Sequence, residues 1–177
     1  MEEILAMEHI TKTYPGVKAL DDVSISFIQG EVHAVMGENG AGKTTLMKVL
    51  FGLETPQTGK VYMDGKEVKI LNTLDAIEKG IGMVHQHFML IPSLTVAENV
   101  VLGVEPMKNG LFDFKKAVEM TEEVAKKYNF NIDPMARVSD LSVGQMQKIE
   151  IMKVLIKGAK IIIMDEPTAV LTPQETE

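Results

Sequence analysis

The chain has 177 residues, with 45% hydrophobic residues, 24% charged residues and a formal net charge of −7 at pH 7. This length suits one domain with a buried core, and the acidic balance argues against nucleic acid as a partner, because phosphate neutralisation needs clustered Lys and Arg. The absence of cysteine excludes disulfides, thiolate catalysis and cysteine-ligated metals. No signal peptide is predicted at the first residues, and no apolar run approaches the ~18 residues of a membrane span. Any membrane role would therefore come through partner subunits.

The first half of the chain alternates short apolar runs with turn residues. Pro15-Gly16, Gln29-Gly30 and Asp64-Gly65 are the turn signals. The pattern predicts strands at 4–10, 23–28, 31–36, 59–63, 66–70 and 82–85, and helices at 45–51 and 73–79.

The second half has a different character. Apolar residues at helical spacing predict helices at 96–102, 114–128 and 142–156. Residues 161–164 read Ile-Ile-Ile-Met, which predicts a strand buried on both faces of a parallel sheet. The predicted organisation is a core and β subdomain at 1–90, a helical subdomain at 91–157, and a return to the core at 158–177.

Residues 37–44, between a predicted strand and a predicted helix, match the phosphate-loop pattern G-x-x-x-x-G-K-[ST]. Glycines let the backbone approach a ligand, while amide groups and the helix N-terminus attract phosphate. Lys43 would neutralise the β- and γ-phosphates, and the Thr44 hydroxyl would coordinate Mg²⁺. The alternative, a glycine-rich turn that binds nothing, does not explain the flanking elements. The predicted nucleotide contacts are Gly37, Glu38, Asn39, Gly40, Ala41, Gly42, Lys43, Thr44 and Thr45.

Two carboxylates, Asp165 and Glu166, follow the apolar run at 161–164. Open α/β sheets bind ligands at the carboxyl ends of their strands. Asp165 is therefore a candidate Mg²⁺ ligand, and Glu166 a candidate general base that polarises the attacking water. The alternative is an exposed strand end without a ligand.

Residues 141–145 read Leu-Ser-Val-Gly-Gln and open a predicted helix. Ser142, Gly144 and the following amides would face an anion. A plain Ser N-cap is the simple alternative.

With these motifs in this order, the whole chain resembles the ATP-binding subunit of an ABC transporter. Residues 37–44 match the Walker A motif, residues 161–166 match Walker B with its catalytic glutamate, and residues 141–145 match the signature LSGGQ with Val143 replacing one glycine. The resemblance implies an α/β fold: a P-loop NTPase (RecA-like) core with an antiparallel β subdomain and an inserted α-helical subdomain.

The resemblance also assigns roles. It implies an ATPase with ATP and Mg²⁺ as cofactors. Tyr14 would stack on adenine, although a Tyr before Pro-Gly is often only a turn residue. Gln86 would sense magnesium and water. Ser142, Gly144 and Gln145 would contact ATP, the magnesium ligands would be Thr44, Gln86 and Asp165, and the catalytic residues would be Glu166, Lys43 and Gln86. His85 and His87 alternate faces in a strand, which is poor metal-chelating geometry.

Finer resemblance, carried by residues 13–20, 84–87, 142–149 and 166–172, points to the first ATPase half of importers of simple sugars or nucleosides. The implied partners are transmembrane permease subunits, a second ATPase domain (a fused half or a homodimer) and, indirectly, an extracytoplasmic solute-binding protein; no nucleic acid is implied. The implied location is the cytoplasmic face of the membrane. The segment after Gln86, with Phe88, Leu90 and Pro92, is the candidate surface for docking the membrane subunit; packing within the helical subdomain is the alternative.

The chain departs from the family pattern in two places. Thr172 stands where the family usually has the D-loop aspartate, which puts that contact in doubt. The family's switch histidine lies well beyond Walker B, and no residue here can fill that role. We therefore expect a C-terminally truncated domain that is weakly active or inactive as an isolated fragment. Other functional classes left open are a soluble ABC ATPase of the repair or translation type and a P-loop kinase, in which Gln86 and residues 141–145 would have no place.

Overall fold

The computed structural model describes residues 2–165. The chain divides into two compact units, Met1–Lys79 and Gly80–Glu177. The three-part organisation inferred from sequence stays a prediction.

The first unit is built on a four-stranded antiparallel sheet in the order β2-β1-β3-β4. Its strands are β1 (Glu3–Tyr14), β2 (Val17–Ile28), β3 (Thr58–Met63) and β4 (Lys66–Val68). β1 and β2 form one long hairpin that turns at Pro15-Gly16, so the predicted strands 4–10 and 23–28 cover only the part farther from the turn. The Asp64-Gly65 turn is confirmed, with positive φ at both residues (48° and 72°), as a two-residue hairpin requires.

Two helices complete this unit. α1 (Lys43–Leu50) packs against β2 and buries Leu46, Val49 and Leu50. α2 (Thr73–Glu78) begins at Asn72, whose side chain accepts a hydrogen bond from the Asp75 amide. Both helices lie within about two residues of their predicted positions, since the phosphate loop and a capping residue mark their starts.

The predicted strand at residues 31–36 is wrong. Within the first unit this segment pairs with none of the four strands, and Val32 and Met36 are exposed. Alternating apolar residues supply strand propensity, but a strand also needs a hydrogen-bonding neighbour.

The second unit contains the strands and helices from β5 onward. In chain order they are β5 (Ile81–Val84), α3 (Val96–Val100), β6 (Met107–Lys108), β7 (Leu111–Phe112), α4 (Phe114–Lys127), a 3₁₀ turn (Val138–Asp140), α5 (Val143–Ile156) and β8 (Ile161–Met164). β5 and β8 pair in parallel, with Ile81 opposite Ile161 and Val84 opposite Met164. α3, α4 and α5 confirm the three predicted helices.

The helices of this unit share one apolar core. Its buried members come from α3, α4, α5 and the 3₁₀ turn: Val96, Val100, Ala125, Val138, Ile149 and Met152. α5 also crosses β5 closely, because a methyl group on Gly82 would collide with Val154. Close packing of this kind fixes the position of α5 against β5.

The expected burial of β8 on both faces is wrong for the described residues. Only Ile163 is buried, Ile161 and Ile162 are half-buried, and Met164 is exposed. An apolar run indicates that a strand is suited to a buried sheet. Whether the strand is buried depends on which other elements cover each of its faces.

A small hairpin, β6–β7, was not predicted from the sequence. Asn109 and Gly110 form its turn with positive φ angles of 53° and 80°. An Asn-Gly pair between apolar residues is a strong two-residue hairpin signal, so the pattern needed to find it was present.

Candidate nucleotide-binding site

The phosphate loop folds around the side chain of Lys43. The Lys43 ammonium donates hydrogen bonds to the carbonyl oxygens of Gly37 at 2.6 Å and Glu38 at 2.9 Å. The Ala41 amide donates to the same Glu38 carbonyl at 3.1 Å, which closes the turn. The positive charge is thereby held inside the loop formed by residues 37–43, where a phosphate group would need it.

Gly42 lets this loop approach β2. Its φ angle is 91°, in the left-handed region that favours glycine. A methyl group here would also collide with the Ala19 carbonyl oxygen and meet Leu20 Cδ2 at 3.0 Å. The position therefore requires glycine for two independent reasons, backbone conformation and space.

The N-terminus of α1 carries no competing anion. Its N-cap is Gly42, no side chain caps it, and the first turn contains no acidic residue. The first amides of a helix lack intrahelical acceptors and carry partial positive charge. Together with Lys43, they make an anion site for which phosphate is a chemical match. Thr44 and Thr45 belong to this first turn.

Tyr14 ends β1 at the turn of the long hairpin and is 37% exposed. The Lys12 ammonium lies 5.2 Å from the Tyr14 ring centroid and 2.8 Å from Glu54 Oε2. A hydrogen bond from Lys12, and a smaller contribution from one with Tyr14, lower the pKa of Glu54. Lys12 and Glu54 thus orient the ring, a supporting pair that no motif indicated. Adenine stacking by Tyr14 stays a prediction.

In the second unit, Gln86 and Asp165 come from one edge of the β5–β8 sheet. Asp165 directly follows β8, and its amide donates to the Val84 carbonyl at 3.3 Å. Gln86 lies two residues beyond β5 and is exposed. Because the strands are parallel, their carboxyl ends coincide, which is where such sheets bind ligands.

The N-terminus of α5 is a complete capping box. Ser142 Oγ accepts from the Gln145 amide at 3.3 Å, and Gln145 Oε1 accepts from the Ser142 amide at 3.0 Å. The simple alternative, a Ser N-cap, is therefore present. The capped terminus is still the positive end of the helix dipole, so capping and anion binding are compatible.

The residues of the candidate docking surface, which follow Gln86, differ in their exposure. Leu90 packs against the helical core, as the alternative held, and Phe88 is half-buried. Pro92 is exposed, and so are two residues that the sequence did not single out: Met89 at 62% and Ile91 at 42%. Half-buried and exposed side chains alternate along residues 88–91.

Two residues with predicted roles are not among the described residues. Glu166 and Thr172 lie outside residues 2–165.

Within residues 2–165, no group of three His, Asp or Glu side chains could hold a metal ion unaided. Nor is any helix there long and apolar enough to cross a membrane. The loop and α1 fit a nucleotide's phosphates, and an ion held mainly by phosphate oxygens and water needs few protein ligands.

Comparison with known proteins matches these observations. The family model described as ABC transporter matches residues 20–169. The chain is similar to the guanosine import ATP-binding protein NupO of Bacillus subtilis, with 49% identity over 175 residues, 99% of this chain and 34% of that relative. It is also similar to the galactose/methyl galactoside import ATP-binding protein MglA of Clostridium tetani, with 49% identity over 97% of this chain and 35% of the relative.

Among solved structures, the chain resembles an ATP-binding cassette of an ABC transporter in its ADP conformation. The TM-score is 0.86 at 30% identity, and the match covers 99% of this chain and 73% of the other. The mixed α/β fold with its antiparallel sheet is therefore that of an ABC ATPase cassette. The chain spans about one third of the length of the curated relatives that it matches.

Proposed function

Because the chain belongs to the ABC transporter family, we propose that it binds and hydrolyses Mg²⁺-ATP, and that the whole protein uses this reaction to power import of a simple sugar or nucleoside. The observation that carries the proposal is the phosphate loop. Lys43 bonded to the Gly37 and Glu38 carbonyls, beside an uncapped α1 N-terminus, forms an anion site matched to phosphate.

The remaining residues take the roles that the family resemblance implies. Residues 37–45 hold the phosphates, and Tyr14 stacks on the adenine. The residues that would hold the cation are Thr44, Gln86 and Asp165, and the cation would neutralise charge on the phosphate oxygens. Glu166 orients the attacking water and accepts its proton.

ATP held by a second domain is the proposed contact of Ser142, Gly144 and Gln145. A helix N-terminus with oriented amides suits a phosphate brought to it, and in the family the signature closes over another domain's phosphate loop. We therefore propose that a fused half or a second copy completes each ATP site. Hydrolysis is then efficient only when two such domains close together.

The transported solute is proposed from the relatives. The names of these relatives specify import of guanosine, nucleosides, ribose, glucose or galactosides. A small polar solute of this kind would pass through permease subunits, delivered by an extracytoplasmic binding protein, with this chain on the cytoplasmic face. The exposed apolar side chains of Met89 and Ile91 in residues 88–92, hereafter the docking segment, suit contact with a permease.

The test is transport by the full-length protein reconstituted with its permease and binding protein. Vesicles would be supplied with ATP and, separately, labelled ribose, galactose or guanosine. We expect ATP-dependent accumulation of one solute class. Glu166→Gln should retain ATP binding and lose turnover by orders of magnitude. Near-normal turnover in that variant would remove Glu166 as the base, and ATP hydrolysis without uptake of any sugar or nucleoside would refute the import function.

A further inference from the structure

The backbone of the docking segment is held by side chains. The Met89 amide donates to Glu150 Oε1 at 2.5 Å, and the Met89 carbonyl accepts from the Lys153 ammonium at 2.7 Å. The Ile91 amide donates to Asn99 Oδ1 at 2.8 Å, and its carbonyl accepts from Asn99 Nδ2 at 3.1 Å. All four polar backbone groups of two alternate residues are therefore satisfied by α3 and α5.

The side chains that hold the segment are buried or nearly so. Asn99 is fully buried, Glu150 is 4% exposed, and the Lys153 side chain is 13% exposed. Lys153 also pairs with Glu150 Oε2 at 3.2 Å, and Asn99 Nδ2 donates a second bond to the Thr95 carbonyl at 3.0 Å. Buried polar groups are costly unless their bonds are made. This network therefore favours one backbone conformation of residues 89–91.

That conformation presents the apolar surface. With the backbone held at Met89 and Ile91, Leu90 points into the helical core and the two flanking side chains point outward. If the segment slid by one residue relative to these hydrogen-bonding side chains, the buried and exposed side chains would change places. The hydrogen bonds thus determine which side chains a partner can reach.

The same network joins the segment to the signature motif. Glu150 and Lys153 lie on α5, which begins at the Ser142 capping box. Glu150 lies eight positions after Ser142 along α5, a distance of about 12 Å. A packed helix moves as a body, so a displacement of residues 89–91 either breaks these bonds or moves the N-terminus of α5.

We propose that Glu150, Lys153 and Asn99 are positioning residues that present the docking segment to a permease and transmit its displacement to the α5 N-terminus. This inference rests on the proposed function, because it requires a membrane partner. It assigns none of the three residues a contact with nucleotide.

The test uses the full-length protein with and without its permease in lipid vesicles. Lys153→Met removes the donor to Met89, Lys153→Arg restores a donor, and Lys148→Met is the control, an exposed lysine on the same helix. Because Lys153→Met leaves Glu150 unpaired, Glu150→Leu/Lys153→Met is made as well; replacing a buried ion pair with apolar residues commonly preserves folding.

We expect Lys153→Met and the double variant to bind ATP within twofold of wild type and to keep their permease-free turnover within twofold. Amide exchange at residues 89–91 should accelerate at least tenfold, and permease-stimulated turnover should fall at least tenfold. Lys153→Arg should recover most of the stimulation, and Lys148→Met should change neither readout.

Two results separate the inference from the proposed function. If wild type is stimulated by the permease and the double variant is stimulated equally despite faster exchange at residues 89–91, the positioning role is overturned. Unchanged amide exchange in both variants would also overturn it. If no permease stimulates wild type, the proposed transport function itself fails, and the coupling role fails with it.

Discussion

At the scale of single residues, the phosphate loop depends on two properties of neighbouring positions. Gly42 combines a φ of 91° with contact against the β2 backbone. Lys43 places its charge on the loop's own carbonyls, so the loop is already organised around a cation. Preorganised charge of this kind avoids rearrangement when an anion arrives.

Replacing Lys43 by Ala should weaken ATP binding by about tenfold to a hundredfold, because charge-assisted hydrogen bonds contribute about 1.5–3 kcal/mol each. Titration calorimetry of the full-length protein measures this directly. Lys48→Ala is the matched control, since Lys48 is exposed on the same helix. Equal affinities for wild type and Lys43→Ala would eliminate the phosphate role.

Gly42→Ala should destabilise the fold by about 2–5 kcal/mol, the sum of left-handed strain and overpacking. Gly40→Ala separates the two effects, because Gly40 has a similar φ of 85° but no atom within 4 Å of an added methyl group. It should cost only about 1–2 kcal/mol. Urea unfolding would compare them, and equal losses would show that space at Gly42 is unimportant.

At the scale of elements, α5 organises the second unit. Its first turn is the capping box, its middle packs into the helical core, and Glu150 and Lys153 hold the docking segment. Its contact with β5 depends on the missing side chain at Gly82. One helix therefore connects the signature motif, the core and the strand that leads to Gln86.

A methyl group at Gly82 should force α5 away from β5, because it would collide with Val154 and approach Ala159 Cβ at 3.1 Å. We expect Gly82→Ala to cost about 1–3 kcal/mol. Val154→Ala in the same chain should recover much of that loss, and a double-mutant cycle by urea unfolding measures the coupling. Simple additivity of the two substitutions would argue against this contact.

At the scale of the whole molecule, the proposed mechanism requires a second ATPase domain. The chain covers about a third of its curated relatives, and the proposed mechanism brings the α5 N-terminus to the phosphate loop of another domain. Binding of ATP and its hydrolysis should therefore separate when the signature is altered.

Gly144→Asp should separate binding from hydrolysis in the full-length protein. An added carboxylate suits a helix N-terminus, so α5 should persist, but it would repel an incoming phosphate by several kcal/mol. We expect ATP affinity within twofold of wild type and turnover lowered by at least about a hundredfold. Asn131→Asp adds the same charge at an exposed site and should change neither ATP affinity nor turnover. Normal turnover in Gly144→Asp would contradict the two-domain site.

Sequence alone determined the features encoded by local chemistry. Glycine spacing, the Lys43-Thr44 pair, the Ser142 cap and apolar periodicity were enough to predict the phosphate loop, the major helices and the family. These signals are readable because turns, caps and amphipathic faces depend on residues close in the chain. The Asn109-Gly110 hairpin carried such a signal and could have been found.

Tertiary structure decided what depends on distant partners. It left residues 31–36 outside the first unit's sheet and exposed Met164 at the end of an apolar strand. It also placed Glu150 and Lys153 against Met89, more than 60 residues away in the chain. Strand pairing, burial and side-chain bonds to a remote backbone require two segments to meet, and neither segment's own pattern specifies the other.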